Sequence, residues 1–275
     1  KLMPELPEVE TVRRVLGPHL QNRIITEVQI HNPQVIAAPS PEEFAEDVRG
    51  QKIAAFARRG KFLRLQFESG DHLTLHLRMT GCLTLAPCGT PCGKHMHLAF
   101  SLNDGNELRY EDVRRLGKFW YTESGNADTS GTENLGIEPF NAALSAQYLR
   151  EKCGQSRKPA KQMLLDQSIV AGIGNIYSDE ILFAARIRPD KPCRELSEDE
   201  FERLANTIPE RIKFFIEKNA ITFEEYTAAE GREYRNTPFF QVYGKAGRPC
   251  PICGGTLKRI VLGGRSSVFC PHCQQ

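Results

Sequence analysis

Apolar and polar residues alternate through most of the first half of the chain. RIITEVQIH, KIAAFARRGKFLRLQF, HLTLHLRM, HMHLAFSL, ELRYED and KFWYTE are short β-branched or aromatic runs, separated by Gly, Asp, Asn or Pro at roughly ten-residue spacing. Alternation over such lengths predicts strands with one buried face, and their number predicts a sandwich or barrel. Ahead of them PEVETVRRVL (7–16) has helical spacing; Pro7 suits a first turn, and Gly17 with Pro18 should stop it. A β-sandwich with a leading helix is expected over residues 1–125, followed by a polar linker rich in Gly, Ser and Asn over 126–140.

From residue 141 the apolar period becomes helical. AALSAQYLREKC should close at Gly154, and KPAKQMLLDQSIV, opened by Pro159, should run toward Gly172. Asn175 is a natural N-cap for IYSDEILFAA, and the Gly172-Ile173-Gly174 turn before it exposes backbone N–H groups at a helix start, an arrangement that suits phosphate. A plain helix–helix turn explains it equally well, since no GxGxxG is completed and no strand precedes it. A last helix begins at Ser197 with Glu200 as a capping box and reaches about Lys218, with Pro209 kinking or splitting it. These helices make up an expected domain over 141–235.

Composition narrows the class. With 40% hydrophobic and 25% charged residues the chain is neither disordered nor collagen-like. No run approaches the roughly 18 apolar residues of a membrane span, and acids stand near the start where a signal peptide has its apolar core. A cytoplasmic protein with no membrane partner is expected. The net charge of +2 says little about partners. Its distribution says more: from Asn236 to Gln275 there is no acid, against Lys245, Arg248, Lys258, Arg259 and Arg265, an excess that suits a polyanion or simply a solvated tail.

That tail also holds Cys250-x2-Cys253 and Cys270-x2-Cys273, a four-thiolate spacing for one structural Zn2+. A closed shell of four sulfurs leaves no open coordination position, so the ion should fold the segment rather than catalyse. Between the pairs, TLKRIVLGGRSSVF reads as a hairpin around Gly263 and Gly264 with Arg265 at its tip, completing a zinc ribbon over 236–275. Cys88, Cys92, His95 and His97 stand close enough in sequence to suggest a second metal, although a loop and one strand face explain them as well. Cys82, Cys153 and Cys193 read as packing residues.

The opening MPELPEVETVRR, RRGKFL near residue 60, HLRMTG near 78, QSIVAGIGNIYSDEILF and the cysteine ribbon, in this order over nearly the whole chain, resemble the formamidopyrimidine-DNA glycosylase family. PELPE with Leu6 resembles its oxidised-purine branch. The resemblance implies an α+β multidomain protein whose helical domain is a helix-two-turn-helix. It implies a bifunctional glycosylase and AP lyase of base excision repair, acting on 8-oxoguanine and formamidopyrimidines in double-stranded DNA, or on abasic sites, as a nucleoid-associated monomer.

By the same resemblance Pro4, exposed once the methionine is removed, is the nucleophile that attacks C1′, and Glu5 is the general acid/base. Lys61 and Arg265 complete the catalytic set. Gly174, Asn175 and His95 contact DNA; Met79, Arg114 and the residue two positions on fill the void left by the flipped base. The family usually has Phe there and this chain has Leu116, which loses aromatic stacking of order 1 kcal/mol. The loop before the ribbon, with Thr222, Glu224 and Tyr226 as candidate base contacts, is shorter than the family's. Lys1-Leu2 ahead of Met3 read as a cloning remnant; while Lys1-Leu2-Met3 stay attached, the Pro4 nitrogen is an amide without nucleophilic character. Two other readings stay open at this point: a non-catalytic damaged-DNA-binding protein of this fold, and a pyrimidine-directed glycosylase of the same superfamily.

Overall fold

A computed structural model describes residues 3–275; Lys1 and Leu2, and with them the reading of a cloning remnant, lie outside the described residues. The chain forms two units. One ends at Glu133 and takes back Asn219–Tyr234; the other is Asn134–Lys218 with Arg235–Gln275.

In the first unit α1 (Leu6–Leu20) buries Leu6, Val9, Val12, Leu16 and Leu20, a stripe at helical spacing, and Pro18 lies inside the helix instead of ending it. There follow β1 (Ile25–Ile30), β2 (Ile36–Ala38), α2 (Pro41–Val48), β3 (Ile53–Arg59), β4 (Phe62–Phe67), β5 (His72–His76), β6 (Gly81–Pro87), β7 (Met96–Leu102), β8 (Asn106–Asp112) and β9 (Lys118–Thr122). Two sheets form, ordered β1-β7-β8-β6 and β2-β9-β5-β4-β3, antiparallel except for the β2–β9 pair. Their inward rows meet in one core: Leu63, Leu65 and Phe67 of β4, Leu73 and Leu75 of β5, Leu98, Phe100 and Leu102 of β7, with the buried stripe of α1.

The polar stretch expected to be a linker from residue 126 is anchored as far as Thr132. Arg64 of β4 bonds Asp128 and, at 2.9 Å, the Thr132 hydroxyl, while His72 Nε2 lies 3.3 Å from the same carboxylate. Burial alone would raise the Asp128 pKa; bonds from Ser130, Thr132 and His72 outweigh it and hold the carboxyl at about 2.

The second unit contains α3 (Ala146–Cys153), α4 (Ala160–Leu165), α5 (Asn175–Ala184) and α6 (Glu198–Lys218). Pro209 neither splits nor ends α6. The helix expected to run from Pro159 to Gly172 stops at Leu165, because Gln167 takes over the backbone. Its amide nitrogen donates to the carbonyls of Leu165 and Ile173 at 3.0 and 2.7 Å, and its Oε1 accepts from Gly172 N–H at 2.9 Å, which shapes the turns between α4 and α5. After α6 the chain forms α7 (Phe223–Ala228) within the first unit. It then closes the second unit with the hairpin β10 (Lys258–Leu262) and β11 (Arg265–Phe269). The ribbon is not separate from the helices: Phe183 of α5 shares one core with Val242, Cys250, Leu257, Val268 and Cys270. No described helix is long and apolar enough to cross a membrane.

Candidate active site and nucleic-acid grip

Pro4 is buried immediately ahead of α1, and Glu5 is the N-cap of that helix, extended at φ −111° and fully buried. The spacing of Glu5 and Glu8 closes a capping box: the Glu5 carboxylate accepts from the Glu8 N–H, and the Glu8 carboxylate from the Glu5 N–H at 2.9 Å. The cap thus fixes the Glu5 side chain one residue from the Pro4 nitrogen, at a helix end that favours negative charge.

Lys61 lies not on a strand but in the two-residue Gly60-Lys61 turn between β3 and β4, where Gly60 has φ +56°. Arg58 joins this turn to the first helix, donating to Glu10 of α1 at 3.0 Å and to the Gly60 carbonyl at 3.0 Å. Burial raises the Glu10 pKa, but Arg13, Arg14 and Arg58 overcome it and hold the carboxyl at about 2. His76, opposite Phe62 across the sheet, also feels Lys61: burial first, then the charges of Arg78 and Lys61, push its pKa down to about 3. It is therefore neutral at neutral pH. Its Nδ1 accepts from Arg78 N–H at 2.9 Å, so Nε2 carries the proton and is a donor. The sequence did not single out His76, although it stands three residues before Met79 in the HLRMTG run.

Met79 and Leu116 are about two-fifths exposed, and Arg114 reaches the Met79 sulfur at 2.9 Å. His95 is half-buried at the entrance to β7, its carbonyl accepting from Asp112 N–H at 3.0 Å. Cys88, Cys92, His95 and His97 do not gather at ligand distance; His97 instead puts Nε2 2.7 Å from the Asp112 carbonyl, and both cysteines are exposed. Thr222 caps α7, accepting from Glu225 N–H at 3.2 Å. Tyr226 turns inward, its hydroxyl on the Leu83 carbonyl at 2.7 Å, which leaves Thr222 and Glu224 as the exposed members of that trio.

In the second unit Gly174 is the N-cap of α5 and Asn175 its first helical residue, one position later than its expected role as cap. The Asn175 Oδ1 is buried without a hydrogen-bond partner. Buried amides rarely stay unmet, and turning this one over would offer its NH2 to an anion at the helix start. Arg265 is exposed and closes the hairpin opposite Leu262, across Gly263 and Gly264 at φ +54° and +75°. A Cβ on Gly263 would meet only the end of the Gln162 side chain of α4, which can swing aside, so it is the left-handed backbone that calls for glycine here.

A buried ion pair ties these two positions together: Lys161 of α4 donates to Asp179 of α5 at 2.6 Å and to the Ser266 carbonyl at 3.0 Å. Asp179 also accepts from the Ser267 hydroxyl at 2.6 Å and from Val268 N–H at 3.0 Å. Beyond it the sulfurs of Cys250, Cys253, Cys270 and Cys273 all lie within 4.8 Å of one another, with Cys250–Cys273 at 3.8 Å and Cys253–Cys270 at 3.5 Å. Thiolates about 2.3 Å from one tetrahedral ion stand about 3.8 Å apart, so the four residues fit a structural zinc.

Comparison with known proteins agrees. The formamidopyrimidine-DNA glycosylase N-terminal domain matches residues 3–119, the H2TH domain of the same enzymes 135–227, and a zinc finger found in FPG and IleRS 247–275. The formamidopyrimidine-DNA glycosylase of Moorella thermoacetica is 43% identical over 94% of both chains, and that of Carboxydothermus hydrogenoformans 40% identical over 99% of this chain and 100% of its own. A Lactococcus lactis Fpg in complex with abasic-site DNA superposes with TM-score 0.89 at 34% identity, covering 99% of this chain and 100% of that one. The class is thereby set: a zinc-binding DNA glycosylase of base excision repair. The chain belongs to the formamidopyrimidine-DNA glycosylase family.

Proposed function

We propose that the chain both excises oxidised purines and cleaves the strand, with Pro4 as nucleophile once its nitrogen is the chain terminus. A terminal amine has a pKa near 8, so a useful neutral fraction exists at neutral pH. Its lone pair attacks C1′ and the base departs with the glycosidic electron pair. As the N–C1′ bond forms, the Glu5 carboxylate takes the Pro4 N–H proton and then gives it to the ring oxygen as the sugar opens, leaving an iminium between Pro4 and C1′. The iminium acidifies the C2′ proton; its loss expels the 3′ phosphate, and a second elimination expels the 5′ phosphate. The observation that carries this reading is the buried capping box that fixes Glu5 next to Pro4.

Lys61 contacts phosphate and sugar, and His76 donates from Nε2 to the same backbone. Gly174, Asn175 and Arg265 grip phosphates. Met79, Arg114 and Leu116 enter the duplex where the damaged nucleotide leaves it, and His95, on the same unit, is a further DNA contact. The zinc shapes the ribbon and takes no part in the chemistry. The protein works as a cytoplasmic monomer on chromosomal DNA. Relatives named as glycosylases at about this chain's full length speak against a purely DNA-binding role. Lactococcus lactis Fpg has been crystallised with DNA containing Fapy-dG and with DNA containing an oxidised pyrimidine, so lesion range is the open term.

The test is borohydride capture with a protein beginning at Pro4, on duplexes carrying 8-oxoguanine, formamidopyrimidine, thymine glycol or an abasic site. Capture on the abasic duplex, and on the first two in preference to thymine glycol, is expected. Preference for thymine glycol would move the substrate to pyrimidines, and no capture on any of them would remove the lyase.

A further inference from the structure

We propose that Asp112 is the positioning residue of the wedge: its buried carboxylate locks the segments 78–81 and 113–117 together before DNA arrives. The inference rests on the reading that Met79, Arg114 and Leu116 enter the duplex. Asp112 ends β8 and is 1% exposed, yet its two oxygens accept five hydrogen bonds. Oδ1 takes the Thr80 hydroxyl and, at 3.0 Å, Arg114 N–H; Oδ2 takes the Tyr110 hydroxyl at 3.0 Å and the N–H groups of Leu116 and Gly117 at 2.8 and 3.0 Å. The Thr80 hydroxyl in turn accepts from Arg114 N–H at 3.1 Å, so both loops share one polar knot.

What surrounds the knot shows that it is built for placement. Tyr110 fills the gap between the loops so closely that a Cβ on Gly117 would lie 1.8 Å from its hydroxyl, and one on Gly81 2.8 Å. Arg78 and Arg115 hold left-handed backbone, φ +55° and +57°, which non-glycine residues adopt only when their surroundings impose it. On the outer side Val113, Met79 and Leu116 are 51, 39 and 41% exposed. Apolar side chains held out in water on a fixed backbone meet a ligand with little ordering left to do. Burial would raise the Asp112 pKa, but its donors hold it below the usual carboxylate range, so the anionic acceptor persists at neutral pH. An asparagine would keep one acceptor and turn an NH2 toward backbone N–H groups that can only donate, that of Arg114 on one side or those of Leu116 and Gly117 on the other.

The experiment uses a protein beginning at Pro4 and a duplex with 2-aminopurine beside the lesion, whose fluorescence jump reads insertion of the wedge. Asp112→Asn should slow that jump and excision from duplex at least about tenfold, while borohydride capture on a single-stranded abasic oligonucleotide, which has no stack to open, stays within about twofold. Thr80→Val should slow insertion by about threefold and Thr80→Ser should restore it. Insertion at the wild-type rate in Asp112→Asn overturns the proposal. If both substrates fail together in that variant, the threonine pair decides: equal rates in Thr80→Val and Thr80→Ser overturn it, a slowed Thr80→Val rescued by serine supports it. Leu116→Ala separates this from the reading beneath it. An unchanged jump in Leu116→Ala means that leucine does not enter the duplex; a lost jump there with a normal one in Asp112→Asn means that Asp112 does not place it.

Discussion

The two units reach rigidity by different means. The first is a sandwich whose β4, β5 and β7 side chains and α1 stripe fill one large apolar core, and the Glu5 capping box and the Arg58 tie beneath the Lys61 turn are built on that frame. The second must hold Asn175 and Arg265 with short elements: a six-residue α4, a ten-residue α5 and a hairpin of five-residue strands. The helices bury a core of their own, Tyr177, Leu182, Leu204 and Phe215 among it, but the hairpin that carries Arg265 brings only a few apolar side chains to Phe183, and buried charge with thiolate ligands fastens it. On the proposed assignment, the chemistry stands on the packed sandwich, whereas the grip on DNA depends on a hairpin fastened by a metal site and an ion pair. Each unit should therefore fail in its own way.

The sharpest division lies in the amine. A protein that begins at Pro4 should be trapped on abasic DNA by borohydride, while one that keeps Lys1-Leu2-Met3 should bind the same duplex and give no crosslink. Equal crosslinking, with mass spectrometry confirming that the extension is intact, would take the nucleophile away from Pro4 and remove the chemical half of the comparison.

Zinc should divide the units next. Stripping it with a chelator unfolds the hairpin that carries Arg265, and duplex affinity should fall about a hundredfold, equivalent to about 2.7 kcal/mol. Capture of a single-stranded abasic oligonucleotide should change by less than about threefold. Parallel loss of both activities would show that the first unit does not stand on its own core.

How much of this could be read from the chain depends on how far apart the partners lie. Local signals were legible: the ribbon spacing, Ser197 with Glu200 at the start of α6, and Gly263-Gly264 beneath Arg265. Even so, α2 went unnoticed although Ser40 and Glu43 form a capping box, because eight residues between strands make a short periodic window. β6, which begins at Gly81 and ends at Pro87, went unnoticed because both residues read as punctuation. The linker reads as loose because Arg64 and Thr132 are far apart in sequence. Distance also hid parts of the site. Asp112 looks like an ordinary acid at a strand end until Thr80 is folded against it, and Lys161 looks like a surface lysine until Asp179 and Ser266 enclose it.

That enclosed pair sharpens the comparison further. Asp179→Asn takes the carboxylate from a fully buried Lys161, and breaking a buried pair from one side costs about 3–5 kcal/mol. Thermal melts should show the second unit destabilised by that order, and the double replacement Lys161→Met with Asp179→Leu should recover much of it. A single Asp179→Asn variant as stable as the parent would mean that zinc and apolar packing suffice.

The first unit has its own charged tie, and it should matter less because water reaches part of it. Glu10 holds Arg58, and through it the Lys61 turn, with a carboxyl pKa of about 2 against an ordinary value of 4.5. A carboxyl whose pKa is lowered by folding stabilises the folded state fully above its unfolded value and loses that contribution as pH falls through the folded one. Allowing for solvent screening, about 1–2 kcal/mol is expected. Glu10→Gln should therefore melt below the parent by a constant margin from pH 6 to 8. The margin should shrink between about pH 4.5 and 2, as the parent's own carboxylate takes up its proton. A gap that persists undiminished at the acid end would mean that Glu10 acts through packing or neutral hydrogen bonding, and the first unit would then owe its reactive geometry to apolar contacts alone.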